Sequence, residues 1–354
     1  MRASASAASA TRAEPPAGRG GPRRRPPGIL ARPMAAANAP ASPPGPSASR
    51  RERLAVVVAD KLLQLLESLP EQRALALAAA LCRGWARLGG PRTQVARVNL
   101  RIAFPSWSEA EREAVLVRSF ENIGRSVAEF ARLGRLGPEA LRERVRIEGL
   151  EHVEAARAQS KTGGILAITG HFGSWEMLAA AMAAHGFPFV AVQKPRESPL
   201  LDAVVERYRR SGGAEFLARG NAALAVMRSL AEGKAVAILY DQDAPKDEGV
   251  FVPFFGRLAC TRDGPVKIAL RARVPVLPIF LHRVGDTSTH VAHFRPPIAM
   301  VRGQGIPLEE AIRENARRMT AAIEDEIRRA PDHWSWVHRR WRTQPPGEPP
   351  PPDY

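Results

Sequence analysis

Short apolar runs alternate with stretches of helical periodicity from residue 145 to residue 295. Such runs are typical of strands buried on both faces, and helices are the usual connections between parallel strands. The alternation therefore predicts an α/β fold with a mixed, largely parallel central sheet flanked by helices. The predicted strands are 145–148, 164–169, 188–193, 214–218, 235–240, 275–281 and 288–295. The predicted helices are about 150–160, 174–185, 199–212, 221–233, 263–273 and 308–329.

The chain before this alternating region has two parts. Residues 54–135 have a helical pattern, and Ser108 with Glu111 forms a capping box that predicts the start of a long helix. Residues 1–53, the amino-terminal tail, carry ten arginines against two glutamates and are rich in Ala, Pro and Ser. A segment of this composition cannot bury enough apolar surface to offset the entropy of ordering, so we predict that it is disordered. The predicted organisation is a disordered basic tail at 1–53, a helical, membrane-associating region at 54–135, a catalytic α/β region at 136–344 and a disordered tail at 345–354.

No membrane-spanning helix is predicted, because no apolar run reaches 18 residues. The most apolar segment, 54–69, is interrupted by Asp60 and Lys61. It is either an amphipathic helix at a membrane surface or a helix that packs on the protein. The amino-terminal tail also lacks the apolar core of a secretory signal. The two cysteines, Cys82 and Cys260, have no disulfide or metal-ligand spacing, which predicts a reducing compartment and no bound metal.

A histidine and a glutamate follow the second predicted strand, in the segment GILAITGHFGSWEML. His171 lies at the carboxyl end of this strand, where α/β sheets collect their binding sites. Imidazole is well matched to accept a proton from a hydroxyl near neutral pH, and a carboxylate on its second nitrogen fixes the tautomer. The spacing therefore predicts that His171 is a general base and that Glu176 is its partner in transfer of a group to a hydroxyl. A structural histidine at a helix cap is the alternative.

Further polar side chains follow the neighbouring strands. Asp241 and Asp243, in the segment LYDQD, are predicted at the same sheet edge as His171. They would bind Mg²⁺, orient a base or accept sugar hydroxyls, or else cap a turn. A zinc site is less well matched, because the helical pair of histidines is absent. Basic residues that would bind phosphate or carboxylate, or remain solvated, are Lys194, Arg196, Arg219 and Arg257.

Two aromatic segments suggest contact with lipid. The segment GVFVPFFGR (249–257) would either cover an apolar ligand or pack in the core. The segment HWSWVHRRWR (333–342) alternates Trp with His and Arg, which suits a membrane interface or a nucleic-acid surface. The chain has no recognisable nucleic-acid-binding motif, so the membrane interface is the preferred interpretation and no nucleic-acid partner is expected.

Several segments occur in an order that resembles a known family. They are RVNLRIAFPSWSEAERE, RIEGLEHVEAA, GHFGSWEML, KPRESPLLD, LYDQD, GVFVPFFGR and WSWVHRRWRTQPPGE. Together they resemble the lysophospholipid acyltransferase superfamily and, more closely, the late (secondary) acyltransferases of lipid A biosynthesis, from about residue 62 to residue 346. The resemblance implies a membrane-associated enzyme at the cytoplasmic face of the bacterial inner membrane, peripheral or monotopic. Such an enzyme moves a fatty acyl group from acyl carrier protein, or less often coenzyme A, to a hydroxyl of a lipid A precursor, without a further cofactor.

The resemblance also implies roles for individual residues. His171 would be the general base and Glu176 its partner, with Arg257 near the acyl donor or a headgroup. The block Asp241, Gln242 and Asp243 would lie near the acceptor. The amino end departs from the family pattern, because it lacks a clean apolar anchor helix. Other acceptors (a lysophospholipid, a glycolipid or an amino-acid lipid) and a non-catalytic basic module that binds membranes or nucleic acid remain alternatives.

Overall fold

The computed structural model describes residues 49–193, 198–218, 222–303, 305–351 and 354. The described strands are β1 (Val145–Glu148), β2 (Ile165–Thr169), β3 (Phe189–Gln193), β4 (Glu215–Ala218), β5 (Ala235–Leu239), β6 (Gly249–Phe254), β7 (Arg257–Arg262), β8 (Val276–Arg283) and β9 (His290–Phe294). Seven of them form one sheet in the order β1-β9-β8-β2-β5-β3-β4. Its paired strands are parallel except for the antiparallel pair β8–β9, which confirms the predicted mixed, largely parallel sheet.

Helices precede the sheet and connect its strands, as predicted. The described α-helices are α1 (Arg50–Ser68), α2 (Glu71–Leu88), α3 (Pro91–Ala103), α4 (Glu109–Arg132), α5 (Pro138–Arg144), α6 (Leu150–Ala158), α7 (Trp175–Ala184), α8 (Pro199–Ser211), α9 (Ala222–Ala231), α10 (Gly264–Ala272) and α11 (Leu308–Arg329). The side chain of Ser108 accepts from the backbone N–H of Glu111, and the Glu111 carboxylate accepts from the backbone N–H of Ser108. The predicted capping box at the start of α4 is therefore present.

Strand β2 lies in the middle of the sheet and positions the polar loops at its edge. It is buried along its whole length and pairs in parallel with β8 on one side and β5 on the other. Thr169, at the end of β2, is in register with Leu239, at the end of β5. Because parallel strands end at the same edge, the loops that follow β2 and β5 meet there.

The first two helices leave apolar side chains in contact with solvent. Both pack against α4. The large apolar residues that are exposed on these two helices are Leu54, Val57, Val58, Leu62 and Leu65 on α1 and Leu81, Trp85 and Leu88 on α2. Of the helices in the described part of the chain, none is both long and apolar enough to cross a membrane. The predicted disordered tail lies outside the described residues up to position 48, and residues 50–53 already belong to α1.

The phenylalanine-rich segment is part of the core and does not form an apolar surface loop. Strands β6 and β7 make an antiparallel hairpin across 249–262. Phe254 and Phe255 are 1 % and 6 % exposed, and their rings contact Trp334, Trp336 and Trp341 edge-on or tilted. The interpretation that this segment covers a lipid is therefore wrong, because Phe254 and Phe255 already have aromatic partners inside the protein.

The tryptophan-rich segment 333–342 is also buried, so its predicted position at a membrane interface is wrong. Trp334, Trp336 and Trp341 are at most 1 % exposed, and Arg340 is fully buried. Each indole N–H has an acceptor, which removes the usual cost of burying this polar group. The Arg340 guanidinium donates to the carbonyl of Cys260 over 2.7 Å. The large side chains of this segment are therefore part of the protein interior.

The last residues also contact the body of the protein, whereas 345–354 is predicted as a disordered tail. Pro351 is buried, and the Tyr354 hydroxyl donates to the side-chain oxygen of Asn99 on α3. The same hydroxyl accepts from the backbone N–H of Trp341 over 3.4 Å. These hydrogen bonds hold Tyr354 against the rest of the protein, which the composition of the segment does not predict.

Candidate active site

The loop after β2 turns sharply and carries His171 into a cleft. Gly173 has a φ of +57°, and a Cβ at this position would collide with the carbonyl oxygen of Leu281. Only glycine tolerates both the left-handed backbone and the close approach. Helix α7 then begins at Trp175, which brings Glu176 into its first turn. His171 and Glu176 consequently line the same cleft.

The His171 ring is held by Asp241. The Nδ1 of His171 lies 2.9 Å from Oδ1 of Asp241, and the backbone N–H of His171 donates to Oδ2 over 2.7 Å. The indole of Trp334 also donates to Oδ2, over 2.8 Å. Burial opposes ionisation of Asp241, but the charge of His171 and these hydrogen bonds lower the pKa of the carboxyl overall. Asp241 is therefore a charged, fully bonded support for the imidazole.

The same contacts poise His171 as a base. Burial lowers the pKa of the imidazole, but the negative charge of Asp241, its hydrogen bond and the charge of Glu176 outweigh burial and raise the pKa above its ordinary value. A carboxylate can only accept a hydrogen bond, so in the neutral ring the proton is on Nδ1 and the lone pair is on Nε2. The side-chain nitrogen of the exposed Gln242 lies 3.3 Å from this Nε2.

Glu176 has a different partner from the one that the spacing predicts. Its carboxylate binds Arg209 of α8 in a bidentate ion pair, with N–O distances of 2.6 and 2.9 Å. Arg209 also donates to the side-chain oxygen of Gln193. The predicted hydrogen-bonding partner of His171 is therefore corrected from Glu176 to Asp241. The physical reason is register, since the ends of β2 and β5 are adjacent, whereas Glu176 faces α8.

Of the other predicted site residues, some line the cleft and others do not. Asp243 lines the cleft and accepts from the hydroxyl of Thr343 over 2.8 Å. Arg257 is not a cleft residue: it lies at the turn of the β6–β7 hairpin and donates to the carbonyl of Pro349. At about 3.3 Å per residue, it is roughly 17 Å along the strand from Arg262, which does line the cleft. The remaining predicted residues, Lys194, Arg196 and Arg219, lie outside the described residues.

The cleft is large and has an apolar neighbour. Its volume is about 1120 Å³, which exceeds that of a typical site for one small molecule. A narrow cavity adjoins it, with Trp175, Glu176 and Arg209 in the wall that both share. Apolar side chains dominate this second cavity, including Leu178, Ala179, Phe189, Phe216 and Ala237. The volume of this second cavity is about 40 Å³, so the pair of His171 and Asp241 lies beside a small apolar space.

Part of the cleft wall comes from the C-terminal segment 333–342, for which the sequence pattern predicts a membrane surface. Its backbone runs along the loop of His171: the N–H of Ser335 donates to the carbonyl of His171 over 2.9 Å. Further along, His338 lines the cleft. Helix α3 fixes this stretch, because the Asn99 amide donates to the carbonyl of His338 over 2.7 Å. No local signal in the sequence identifies His338, since the contact joins residues that are far apart in the chain.

The described residues offer neither an evident metal site nor an activated cysteine. In the ranges that the structure covers, no group of three or more His, Cys, Asp or Glu side chains is arranged to hold a metal ion. Burial raises the pKa of the Cys260 thiol to about 11, which disfavours the thiolate. The ring of His171 is hydrogen-bonded to Asp241 and Gln242 rather than to a serine or cysteine. The chemistry that this geometry supports is proton transfer at a substrate group.

A comparison with protein families finds one match that covers most of the chain. The family model described as bacterial lipid A biosynthesis acyltransferase matches residues 52–343. This range includes the helices before the sheet, the whole sheet and the C-terminal segment.

Curated proteins that are named as transferases of lipid A biosynthesis are similar to this chain over most of their length. The lipid A biosynthesis palmitoleoyltransferase of Escherichia coli (strain K12) is 29% identical over 258 residues, 73% of this chain and 81% of the relative. The lipid A biosynthesis myristoyltransferase of the same organism is 29% identical over 270 residues, 76% of this chain and 81% of the relative. The lauroyltransferase is 28% identical over 259 residues, with 73% and 81% covered. The matched segments thus cover about three quarters of this chain and about four fifths of each relative.

Proposed function

Because this chain belongs to the bacterial lipid A biosynthesis acyltransferase family, and is therefore an acyltransferase, we propose that it moves a fatty acyl group from a thioester to a hydroxyl of a lipid A precursor. The donor would be acyl carrier protein, with coenzyme A as the alternative. The observation that carries the proposal is the imidazole of His171, which is held by the buried Asp241 and lines a cleft that adjoins an apolar cavity.

His171 would act as the base in a direct transfer. Its Nε2 takes the proton of the acceptor hydroxyl, and the oxygen attacks the thioester carbonyl. Asp241 keeps the ring in the required tautomer and stabilises the imidazolium that forms. The thiolate then leaves with the proton from His171, so no acyl-enzyme is needed. The ion pair of Glu176 with Arg209 forms part of the wall between the cleft and the small apolar cavity, and the acyl chain would lie in the larger cleft.

We further propose that α1 and α2 bring the enzyme to the cytoplasmic face of the bacterial inner membrane. Their exposed apolar residues include Val57, Trp85 and Leu88, of which Leu88 is 90% exposed. Exposed cations on the same helices, such as Arg50 and Arg87, would bind anionic headgroups. Binding of this kind is peripheral or monotopic, and it brings a lipid acceptor to the cleft.

A transfer assay with defined substrates tests the proposed reaction. The full chain is incubated with lauroyl, myristoyl or palmitoleoyl thioesters of acyl carrier protein or coenzyme A and with a lipid A precursor that carries a free hydroxyl. We expect one acyl chain to be added to the lipid as free thiol is released, both followed by mass spectrometry. Acylation of a lysophospholipid but not of the lipid A precursor would contradict the proposed acceptor.

Vesicle binding tests the membrane surface. A Val57→Glu and Leu88→Glu double substitution removes two apolar contacts that are each expected to contribute about 1.5–3 kcal/mol. Binding to vesicles that contain anionic phospholipid should fall at least tenfold in a sedimentation assay. The matched control is Leu308→Glu, since Leu308 is 67% exposed but lies on α11. Equal losses in both variants would exclude a specific role of α1 and α2.

A further inference from the structure

A second histidine lies in the cleft with His171 and is held by the same loop. The loop after β5 binds His171 through Asp241, and it binds His338 through the next acidic residue. Here the backbone N–H of Asp243 donates to Nε2 of His338 over 3.0 Å. Both imidazoles line the cleft. One loop therefore holds two imidazoles at the site where the proposed reaction occurs.

The two histidines are fixed in opposite tautomers. A backbone N–H can only donate, so Nε2 of His338 is an acceptor and the proton of the neutral ring is on Nδ1. In His171 the carboxylate of Asp241 leaves the lone pair on Nε2 instead. Across the described ranges, no hydrogen bond involves Nδ1 of His338. The cleft thus contains one imidazole that offers a lone pair and another that offers an N–H.

The environment keeps His338 uncharged. Burial lowers the pKa of this imidazole to about 4, and although the charge of Asp241 opposes this, His171 and the neighbouring arginines reinforce it. At neutral pH, well above this pKa, the ring is therefore a neutral donor that does not compete with His171 for the substrate proton. Cationic side chains in the cleft have carboxylate partners: Arg209 with Glu176, Arg342 with Asp243 and Arg262 with Glu248.

We propose, on the basis of the proposed acyl transfer, that the Nδ1–H of His338 donates a hydrogen bond to the carbonyl oxygen of the thioester and to the oxyanion that develops on it. The C–O bond to the acceptor forms as the hydroxyl proton passes to Nε2 of His171. The C–S bond then breaks, and the thiolate takes this proton from His171. His338 keeps its own proton throughout, which makes it a catalytic residue that stabilises charge.

Kinetics of three variants test this role. His338→Ala should lower kcat by about 10²–10³-fold with little change in KM, as loss of one oxyanion donor does. His338→Gln should recover part of kcat, because its amide can accept from Asp243 and still donate. The matched control is His333→Ala: the Nε2 of His333 also accepts a backbone N–H, that of Arg283, but His333 does not line the cleft. A kcat for His338→Ala equal to that of the wild type would overturn the proposal.

Two further readouts separate a donor from a purely structural histidine. If His338 only held the loop, His338→Ala would displace Asp241 and move the acidic limb of the pH–rate profile, whereas loss of a neutral donor leaves that limb in place. In the resting protein, ¹⁵N NMR should show a neutral ring with its proton on Nδ1 at pH 7. A proton on Nε2, or titration near pH 6.5, would overturn the proposal. If the wild-type chain transfers no acyl group, the proposed function fails, and the NMR measurement still decides whether His338 presents a donor.

Discussion

His171→Ala should lower kcat for acyl transfer by about 10²–10⁴-fold, the usual contribution of a general base. The Nε2 of this ring is the lone pair that the tautomer leaves available in the cleft, and alanine supplies no substitute. We expect the fold to persist, because the buried Asp241 retains its bonds to Trp334 and to the backbone of residue 171. The measurement is kcat with the thioester donor, together with a thermal unfolding scan.

The matched control for this substitution is His152→Ala. His152 lies on α6, is 30% exposed in its side chain and does not line the cleft. Its loss should leave kcat unchanged. A His171→Ala variant that is folded and retains wild-type kcat would refute the assignment of His171 as the base.

Asp241→Asn should move the acidic limb of the pH–rate profile to lower pH and lower the plateau. The active form of His171 is the neutral one, so the rate rises with pH through a pKa that Asp241, against the effect of burial, holds above the ordinary value of a histidine. Removing the negative charge lowers this pKa. An asparagine that presents its N–H₂ to Nδ1 also favours the wrong tautomer, a change that costs up to about 10⁴-fold in kcat in a serine protease triad. The profile of kcat/KM from pH 5 to pH 9 measures both effects.

Glu176→Gln is the comparison that distinguishes the two carboxylates. Glu176 also raises the pKa of His171, but its charge is neutralised by the bidentate pair with Arg209. Its substitution should therefore move the acidic limb in the same direction by a smaller amount. A larger shift for Glu176→Gln than for Asp241→Asn would restore Glu176 as the partner of the base.

Much of the sheet was predictable because it depends on local composition. A strand such as β2, which is covered on both faces, must be apolar along its whole length. The apolar run can be recognised in the sequence without knowledge of which helices cover the strand. The same holds for the capping box of Ser108 and Glu111, whose partners are three residues apart. His171 and Asp241 were predictable as neighbours of the sheet edge because each lies two residues after the end of a strand. In these cases the determining contacts are short-range or follow from strand geometry.

The alternation of apolar runs by itself determined the mixed, largely parallel sheet and placed His171 and Asp241 at its carboxyl edge. Only the tertiary structure decided which carboxylate holds the imidazole, where Arg257 lies and that His338 lines the cleft. The reason is separation in the chain: the Asp241–His171 and Asp243–His338 contacts join residues 70 and 95 positions apart. A tryptophan-rich segment has the same apolar rings and polar N–H groups whether a membrane or the protein interior covers it. Only the packing of the folded chain decides which of these two environments the segment occupies.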